Sequence, residues 1–340
     1  MDSNFEKAWE KIKAANRIVI LPHKDADGDA IGSAFGLKAA LKSIGKKACV
    51  WREEEEPHKF MGVIRGLCKC DETTPSGFAC HPSGGGEFDL AISVDSADLV
   101  RLGKRAQVFQ SMGDKTIAID HHQTFTHFAN VNILEEPCGA CAETVFKFIK
   151  SCGIAITPDI AHNLYLGISS DTGGFRQNNT TPQSMEIGAE LMKRGADYGE
   201  INTAIFMSNT LKHTRIVGEV LSNLQAFHND EIIVLNATRA SLDKFEASDD
   251  DAKSLVNFAI NIVGVKIAFF LKEKDGIIKV SARSNYDEYN VAELCKIFGG
   301  GGHMRAAGCE IGHVDMERAI GEVAEAASRF IDEVDKIISN

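Results

Sequence analysis

The 340-residue chain has no apolar run near the roughly 18 residues that a membrane-spanning helix requires, which excludes a helical membrane protein. It also lacks a surplus of positive charge: 37 Lys and Arg stand against 48 Asp and Glu, a formal net charge of −11. Proteins that coat nucleic acid or anionic lipid draw their affinity from many Lys and Arg at phosphates, so that class is excluded too. Tyr and Trp are scarce, four and two, which thins the stacking track expected of an enzyme that threads long single strands. The opening MDSNFEKAWEKIKAANR has no apolar core of signal-peptide length; Phe5, Trp9 and Ile12 recur at helical spacing, so an amphipathic helix and a cytoplasmic location are expected. Nine cysteines are an odd number and too sparse for a disulfide framework, which implies reduced thiols. The local cluster Cys68, Cys70, Cys80 and His81 offers zinc donors, but at a spacing that fits no common zinc motif.

What the chain does contain is the composition of a folded globular protein, 44% apolar and 25% charged, at a length that suits about two domains. Over the first half, short apolar strands alternate with amphipathic helices. RIVIL at 17–21 precedes a Gly/Asp-rich loop and a helical pattern at about 30–44. KKACVW at 46–51, FDLAISVD at 88–95 and KTIAID at 115–120 read as strands, residues 139–151 as a helix, and NLYLGISSD as a helical stretch ending in an acidic loop at Asp171. This alternation predicts an α/β fold: a mostly parallel sheet with helices on both faces and its chemistry at the carboxyl ends of the strands. After Pro182 the pattern turns helical, then resumes with strands near 224–237, helices around 241–261, the strands VKIAFFLK and IIKVSARS, a helix from Asn290 and a glycine run at 299–302.

The expected organisation is a domain over residues 1–195, a helical connector over 196–225 and a smaller mixed α/β domain over 226–340. A terminal amphipathic helix with Ile320, Val323, Ala327, Phe330 and Val334 on one face closes it. Residues 67–87, rich in Pro and Gly, read as a long surface connection, and the acidic run at 53–56 as a solvated turn.

Three apolar strands run directly into acidic residues: Leu21 into HKDADGD, Val94 into Asp95, and Ile119 into Asp120, His121 and His122. Asp171 adds a fourth carboxylate in another glycine-containing loop. In HKDADGDAIGS, an extended path would turn Asp27 and Asp29 to opposite sides, each toward a different ion. Close carboxylates raise each other's pKa, and a bound cation is the natural way to keep both ionised. An N-capping aspartate followed by solvated charges explains that loop taken alone. It does not explain imidazoles and a carboxylate directly after a buried strand. Such mixed donors suit manganese, iron, cobalt or zinc better than calcium, and one group from each of four element ends is what a dinuclear site requires. Cys138 and Cys141 read as packing thiols, and His162, His213, His228 and His313 as satisfied or solvated histidines.

In chain order, HKDADGDAIGS, VDSAD, DHH at 120–122 and SSDTGGF resemble the four motifs of the DHH phosphoesterase superfamily. SARSNYDEYNVAEL and GGGGHMRAAG resemble its DHH-associated C-terminal domain, and together the motifs cover about residues 15–310. The resemblance implies that His23, Asp27 and Asp95 bind one divalent ion, and Asp29, Asp95, His121 and Asp171 a second, with Asp95 bridging and manganese the usual metal. It implies a catalytic set of His122, Asp95 and Asp120, with His122 facing the phosphate, and in-line attack by a hydroxide held between the two ions. Arg283, Ser284, Gly300, Gly301, Gly302, His303 and Arg305 are then the substrate-binding residues: guanidinium takes phosphate bidentately, and glycines let main-chain N–H groups approach an anion.

Without the extra modules of long RecJ nucleases, the chain looks most like the compact nano-RNase branch of that superfamily. Its members degrade very short RNA, dephosphorylate 3′-phosphoadenosine 5′-phosphate, or cleave linear or cyclic dinucleotides. A short oligonucleotide or mononucleotide bisphosphate is the expected substrate, with no membrane or long duplex as partner and with room for a homodimer. The alternatives are a cyclic-dinucleotide phosphodiesterase, a RecJ-like single-strand exonuclease and, outside enzymes, a nucleotide-binding sensor. Every ligand the resemblance calls for is present, which weighs against the last.

Overall fold

The computed structural model describes residues 3–53, 60, 62–67, 88–249, 251–252, 254–312 and 315–339. Cys68, Cys70, Cys80 and His81, the connection from 68 onward, residues 54–56 of the acidic run and His313 lie outside the described residues. The chain divides into two compact units, Met1–Ser208 and Asn209–Asn340, and the division falls within the stretch expected to be a connector.

In the first unit, β1 (Arg17–Pro22) carries Ile18, Val19, Ile20 and Leu21, none of them exposed. Ile18 and Ile20 join one core, Val19 and Leu21 another. A strand that is apolar on both faces has to lie inside a sheet covered on both sides, which is where parallel strands are found. β2 (Lys47–Val50), β3 (Leu90–Val94), β4 (Thr116–Asp120) and β5 (Val131–Leu134) complete the sheet in the order β2-β1-β3-β4-β5, every pair parallel. The strand order reverses between β1 and β3, and in open α/β sheets ligands bind beyond the carboxyl ends at such a point. β5 is missing from the sequence expectation because VNIL buries only Val131 and Ile133, too little for a periodic signal.

The first helix, α1 (Ser3–Ala14), buries Phe5 and Ile12 as the spacing predicts, with Trp9 only partly buried and Ala8 filling the face beside it. α2 (Gly28–Ser43) begins before residue 30 because Asp27 caps it, its Oδ1 accepting from the main-chain N of Asp29 at 3.0 Å and of Ala30 at 3.1 Å. A 3₁₀ turn (Leu99–Arg105) and α3 (Ala106–Ser111) follow β3, and α4 (Cys141–Ser151), α5 (Pro158–Asp171), α6 (Pro182–Lys193) and α7 (Tyr198–Phe206) complete the unit's described helices. α2 lies directly on α5: a Cβ added to Gly32 would stand 2.5 Å from both the Asn163 carbonyl oxygen and the Gly167 nitrogen. Glycine at 28, 32 and 36, about one per turn, permits this approach, and the helices run antiparallel, so the end of α5 at Asp171 comes beside the start of α2. Glu53 departs from the expected solvated turn. Its carboxylate accepts from the Lys104 nitrogen at 2.8 Å and lies 3.7 Å from Arg105 Nε, so it holds the 3₁₀ turn in place.

The second unit starts with α8 (Leu211–Ser222) and builds a six-stranded mixed sheet from β6 (Gln225–Phe227), β7 (Ile232–Ala237), β8 (Ile267–Lys274), β9 (Ile277–Ser284), β10 (Gly301–His303) and β11 (Ala306–Gly312). Only the β7–β8 pair is parallel. One face packs on the terminal helix α12 (Met316–Ile338) through Ile320, Val323 and Ala327, with Phe330 and Val334 partly buried beside them. The other face packs on α8 and the short helices α9 (Arg239–Lys244) and α10 (Val256–Ile260), while α11 (Val291–Lys296) joins the core on the α12 side. Among the described residues no helix is long and apolar enough to cross a membrane.

Candidate metal centre

β1 and β3 each run directly into a residue with a metal-capable atom, and β4 ends in one. His23 follows β1 and is 4% exposed; its Nδ1 sits 2.6 Å from the Lys24 carbonyl, so that nitrogen donates and Nε2 is left facing inward. Asp95 follows β3, 3% exposed and in the left-handed region at φ 56°, with its main-chain N continuing the sheet to the Ile119 carbonyl at 3.0 Å. Asp95 Oδ2 is 3.6 Å from His23 Nε2, and its Oδ1 is 3.5 Å from His121 Nε2. One buried carboxylate therefore faces two histidines on two sides.

Asp120 is the last residue of β4 and has no exposed surface. Its Oδ1 accepts from the His121 main chain at 2.8 Å and from His122 Nδ1 at 2.7 Å. His122 is consequently oriented by a buried carboxylate, while its ring is 43% exposed with Nε2 left over. His121 is more enclosed: its Nδ1 donates to the Cys138 carbonyl at 3.3 Å, and its Nε2 lies 3.8 Å from both Asp29 Oδ2 and Asp171 Oδ2.

Asp27 and Asp29 do diverge, though through a helix start and not an extended path. Asp27, at the cap, is 3.7 Å from His23 Nε2. Asp29, the second residue of α2, is buried, and its two oxygens accept from the main-chain N of Cys141 at 2.6 Å and of Ala142 at 3.0 Å, supplying the N-terminus of α4 with a cap from 112 residues away. Three sets result whose donor atoms all lie within 4.8 Å of one another: His23, Asp27 and Asp95; Asp29, His121 and Asp171; and Asp95, Asp120, His121 and His122.

Several features of these residues fit divalent cations. Asp95 Oδ1 and Asp120 Oδ2 are buried with no hydrogen-bond partner among the described residues, a costly state for an oxygen acceptor. Burial, together with the charges of Asp95 and Asp171, pushes the Asp29 carboxyl well above the usual range. Burial raises Asp171 to about 6; His121 counters this while Asp95 and Asp27 add to it. Burial opposes protonation of His121, but its contacts with Asp95, Asp29 and Asp171 prevail and raise it to about 10. His23 also rises, as Asp27 and Asp95 outweigh its desolvation, and His122 rises through its bond to Asp120. Mutual repulsion of carboxylates, eased by protonated imidazoles and by N–H donors, is what a cation would relieve by displacing the imidazole protons.

The other sequence candidates divide. Cys141 Sγ is buried and donates to the Ile119 carbonyl at 3.3 Å, and burial beside Glu143 pushes Cys138 up to about 12, so both thiols are packing groups. His213 Nδ1 meets the Asp251 carbonyl at 2.7 Å, His228 lies between Glu231 and Asp332, and His162 is buried with Nδ1 accepting from the Asp197 nitrogen.

In the second unit, Arg283 pairs in register with Ala306 and Ala306 with His303, bringing both polar residues and the Met304–Arg305 turn to one end of the sheet. Gly301 and Gly302 belong to edge strand β10, and a Cβ on Gly302 would stand 2.6 Å from Ala307 Cα, so packing by itself accounts for that glycine. Ser284 is buried, its hydroxyl donating to the Tyr286 carbonyl at 3.0 Å and accepting from the Tyr286 nitrogen at 3.1 Å, which ties it to the turn after β9. Arg305 Nε donates to Asp287 at 2.7 Å, leaving its two terminal nitrogens on the exposed side chain. Pattern reading passed over Asn179, whose amide reaches Asp171 and Gly139, and the glycines of α2; a one-per-turn Gly spacing was the available signal for the latter.

Residues 17–168 match the DHH family, N-terminal domain, and residues 229–340 match the DHHA1 domain. The chain is 31% identical to a bifunctional oligoribonuclease and PAP phosphatase NrnA of Thermus thermophilus, over 96% of this chain and 97% of that one. It is 27% identical to a probable bifunctional oligoribonuclease and PAP phosphatase NrnA of Streptococcus mutans, over 89% and 92% of the two chains. Among solved structures, an exopolyphosphatase-related protein from Bacteroides fragilis is similar with a TM-score of 0.89 and 26% identity, covering 98% of each chain.

Proposed function

The chain belongs to the DHH family and is a phosphoesterase, and from that premise we propose that it hydrolyses short oligoribonucleotides, linear dinucleotides and 3′-phosphoadenosine 5′-phosphate with two divalent ions, manganese foremost. The observation that carries the reading is Asp95, buried between His23 and His121 with one oxygen toward each. His23, Asp27 and Asp95 would hold one ion, and Asp29, His121 and Asp171, joined by Asp95 through the oxygen that faces His121, the other. Bound there, the ions supply Lewis acidity toward water and positive charge toward phosphoryl oxygens.

The chain's own groups do the rest. Asp120 fixes the His122 ring with Nδ1 as donor, so Nε2 is turned to the open side, where it holds a phosphoryl oxygen. Arg283 and the terminal nitrogens of Arg305 bind substrate phosphate, and Asp287 restrains Arg305 through Nε without occupying that fork. Main-chain groups of Gly300, Gly301 and Gly302, with His303, complete the substrate-binding set, and Ser284 contributes by shaping the Tyr286 turn.

A manganese time course on 3′-phosphoadenosine 5′-phosphate, linear di-adenylate, cyclic di-adenylate and a five-nucleotide RNA tests this. Turnover of the first two and of the RNA is expected, and its loss in a His121→Ala, His122→Ala double variant. Cleavage of cyclic di-adenylate alone would move the substrate to a cyclic-dinucleotide phosphodiesterase. Full activity in the double variant would remove the site.

A further inference from the structure

Asp29, His121 and Asp171 come from three separate elements, yet one short segment, residues 138–142, is tied to all of them. The Cys138 carbonyl accepts from His121 Nδ1 at 3.3 Å. The Gly139 carbonyl accepts from Asn179 Nδ2 at 2.9 Å, and the same amide nitrogen lies 3.1 Å from the Asp171 carbonyl and 3.3 Å from Asp171 Oδ2. The main-chain nitrogens of Cys141 and Ala142 donate to the two oxygens of Asp29. None of these bonds reaches His23 or Asp27: His23 donates to the Lys24 carbonyl, and Asp27 accepts from the main-chain nitrogens of Asp29 and Ala30 at the start of α2. The two donor groups meet at Asp95, which faces His23 on one side and His121 on the other, and the start of α2 carries a member of each, but the 138–142 segment and Asn179 are bonded to the second group.

Asp171 is the member of its group that needs holding. It is the last residue of α5, its side chain is 31% exposed, and it faces the like charges of Asp29 and Asp95. His121 offsets part of that repulsion, and the Asn179 amide, bonded to the Gly139 carbonyl, ties both the carbonyl and the carboxylate of Asp171 to the 138–142 segment.

Resting on the two-ion reading above, we propose that Asn179 is a positioning residue that sets the divalent-ion affinity of the Asp29, His121 and Asp171 group without setting that of the His23, Asp27 and Asp95 group. Gly139 belongs to the same device: a Cβ there would stand 2.7 Å from Ser184 Oγ, 2.8 Å from Glu143 Oε1 and 3.0 Å from the Asn179 carbonyl, so a side chain would displace the segment that Asn179 grips.

Titration of the full chain with Mn(II) alone, with free ion read by electron paramagnetic resonance, tests this apart from activity. Wild type should take up two ions. In Asn179→Ala one ion should keep its affinity and the other weaken by about 10–100-fold, the usual effect of losing an outer partner of a ligand. Asn179→Gln, which keeps the amide, should recover part of the loss, and Gly139→Ala should weaken the same ion. In a His23→Ala background, Asn179→Ala should weaken the remaining ion by the same factor. Two ions of wild-type affinity in folded Asn179→Ala, or equal weakening of both, would overturn the proposal. A wild type that takes up no Mn(II) would instead overturn the two-ion function itself, so the two failures are distinct. Should Asn179→Ala unfold, judged by circular dichroism, the Gln and Gly139→Ala variants decide the matter.

Discussion

The first unit of the chain holds most of its site's donors more deeply than the second holds its charged candidates, although His122 and Asp171 are partly open. In the first, His23, Asp29, Asp95 and Asp120 sit at strand and helix ends, none more than 4% exposed. In the second, His303 and Arg305 stand exposed on an edge hairpin, and the buried Ser284 has its hydroxyl engaged by Tyr286. A buried carboxylate among other carboxylates is unfavourable unless a counter-charge accompanies it, so burial here is itself information about a ligand. An exposed arginine costs little to keep in any protein, so its position carries far less information. Glycines show the same contrast: Gly32 is pressed against the α5 backbone, whereas Gly321 in α12 has nothing within 4 Å of an added Cβ.

The largest effect is expected from Asp95→Asn, which removes the charge and keeps the shape. Hydrolysis should fall by at least about 10²–10³-fold, as when a group aimed at the reacting centre is lost, with an unchanged circular dichroism spectrum. Activity above about a tenth of wild type would mean that burial does not mark the chemistry. Next in size is the response to metal. At 100 times its dissociation constant, Mn(II) should stabilise the chain by about 2.7 kcal/mol per site, read as a thermal shift against chelator; Asp95→Asn should lose most of that shift and Arg305→Ala none of it.

Gly32→Ala should destabilise by about 1–3 kcal/mol in urea because the α2–α5 backbones must part. Gly321→Ala should stabilise by about 0.4–1 kcal/mol, since only unfolded-state freedom is lost. Similar effects at the two sites would erase the glycine contrast. The smallest effect is expected from Arg305→Ala: KM raised by about tenfold with kcat within about twofold, because an exposed fork contributes binding and not chemistry. A large fall in kcat would place Arg305 with the buried residues of the first unit.

Much of the fold was legible because apolar runs such as RIVIL and LAISV are buried on both faces, which local pattern reports directly. β5 and β11 were not, being short or carrying small residues that signal little when alone. At the site, the residues that stand at strand ends, His23, Asp95 and Asp120 to His122, could be picked out because each follows an apolar run. Asn179 could not: its link to Gly139 spans 40 residues, and no spacing rule reaches that far. The divergence of Asp27 and Asp29 was expected from strand alternation but arises from a helix cap, with Asp29 turned inward to hold the start of α4.

Sequence by itself determined the alternation of strand and helix, the donor types at each strand end and the resemblance to a phosphoesterase family, since all are properties of contiguous residues. Tertiary structure alone decided which donors share a neighbourhood, because pairing register and helix approach are set by packing between distant segments. Asp95 faces two histidines only because β1 and β4 flank β3, and Asp171 reaches Asp29 only because three glycines let α2 lie against α5.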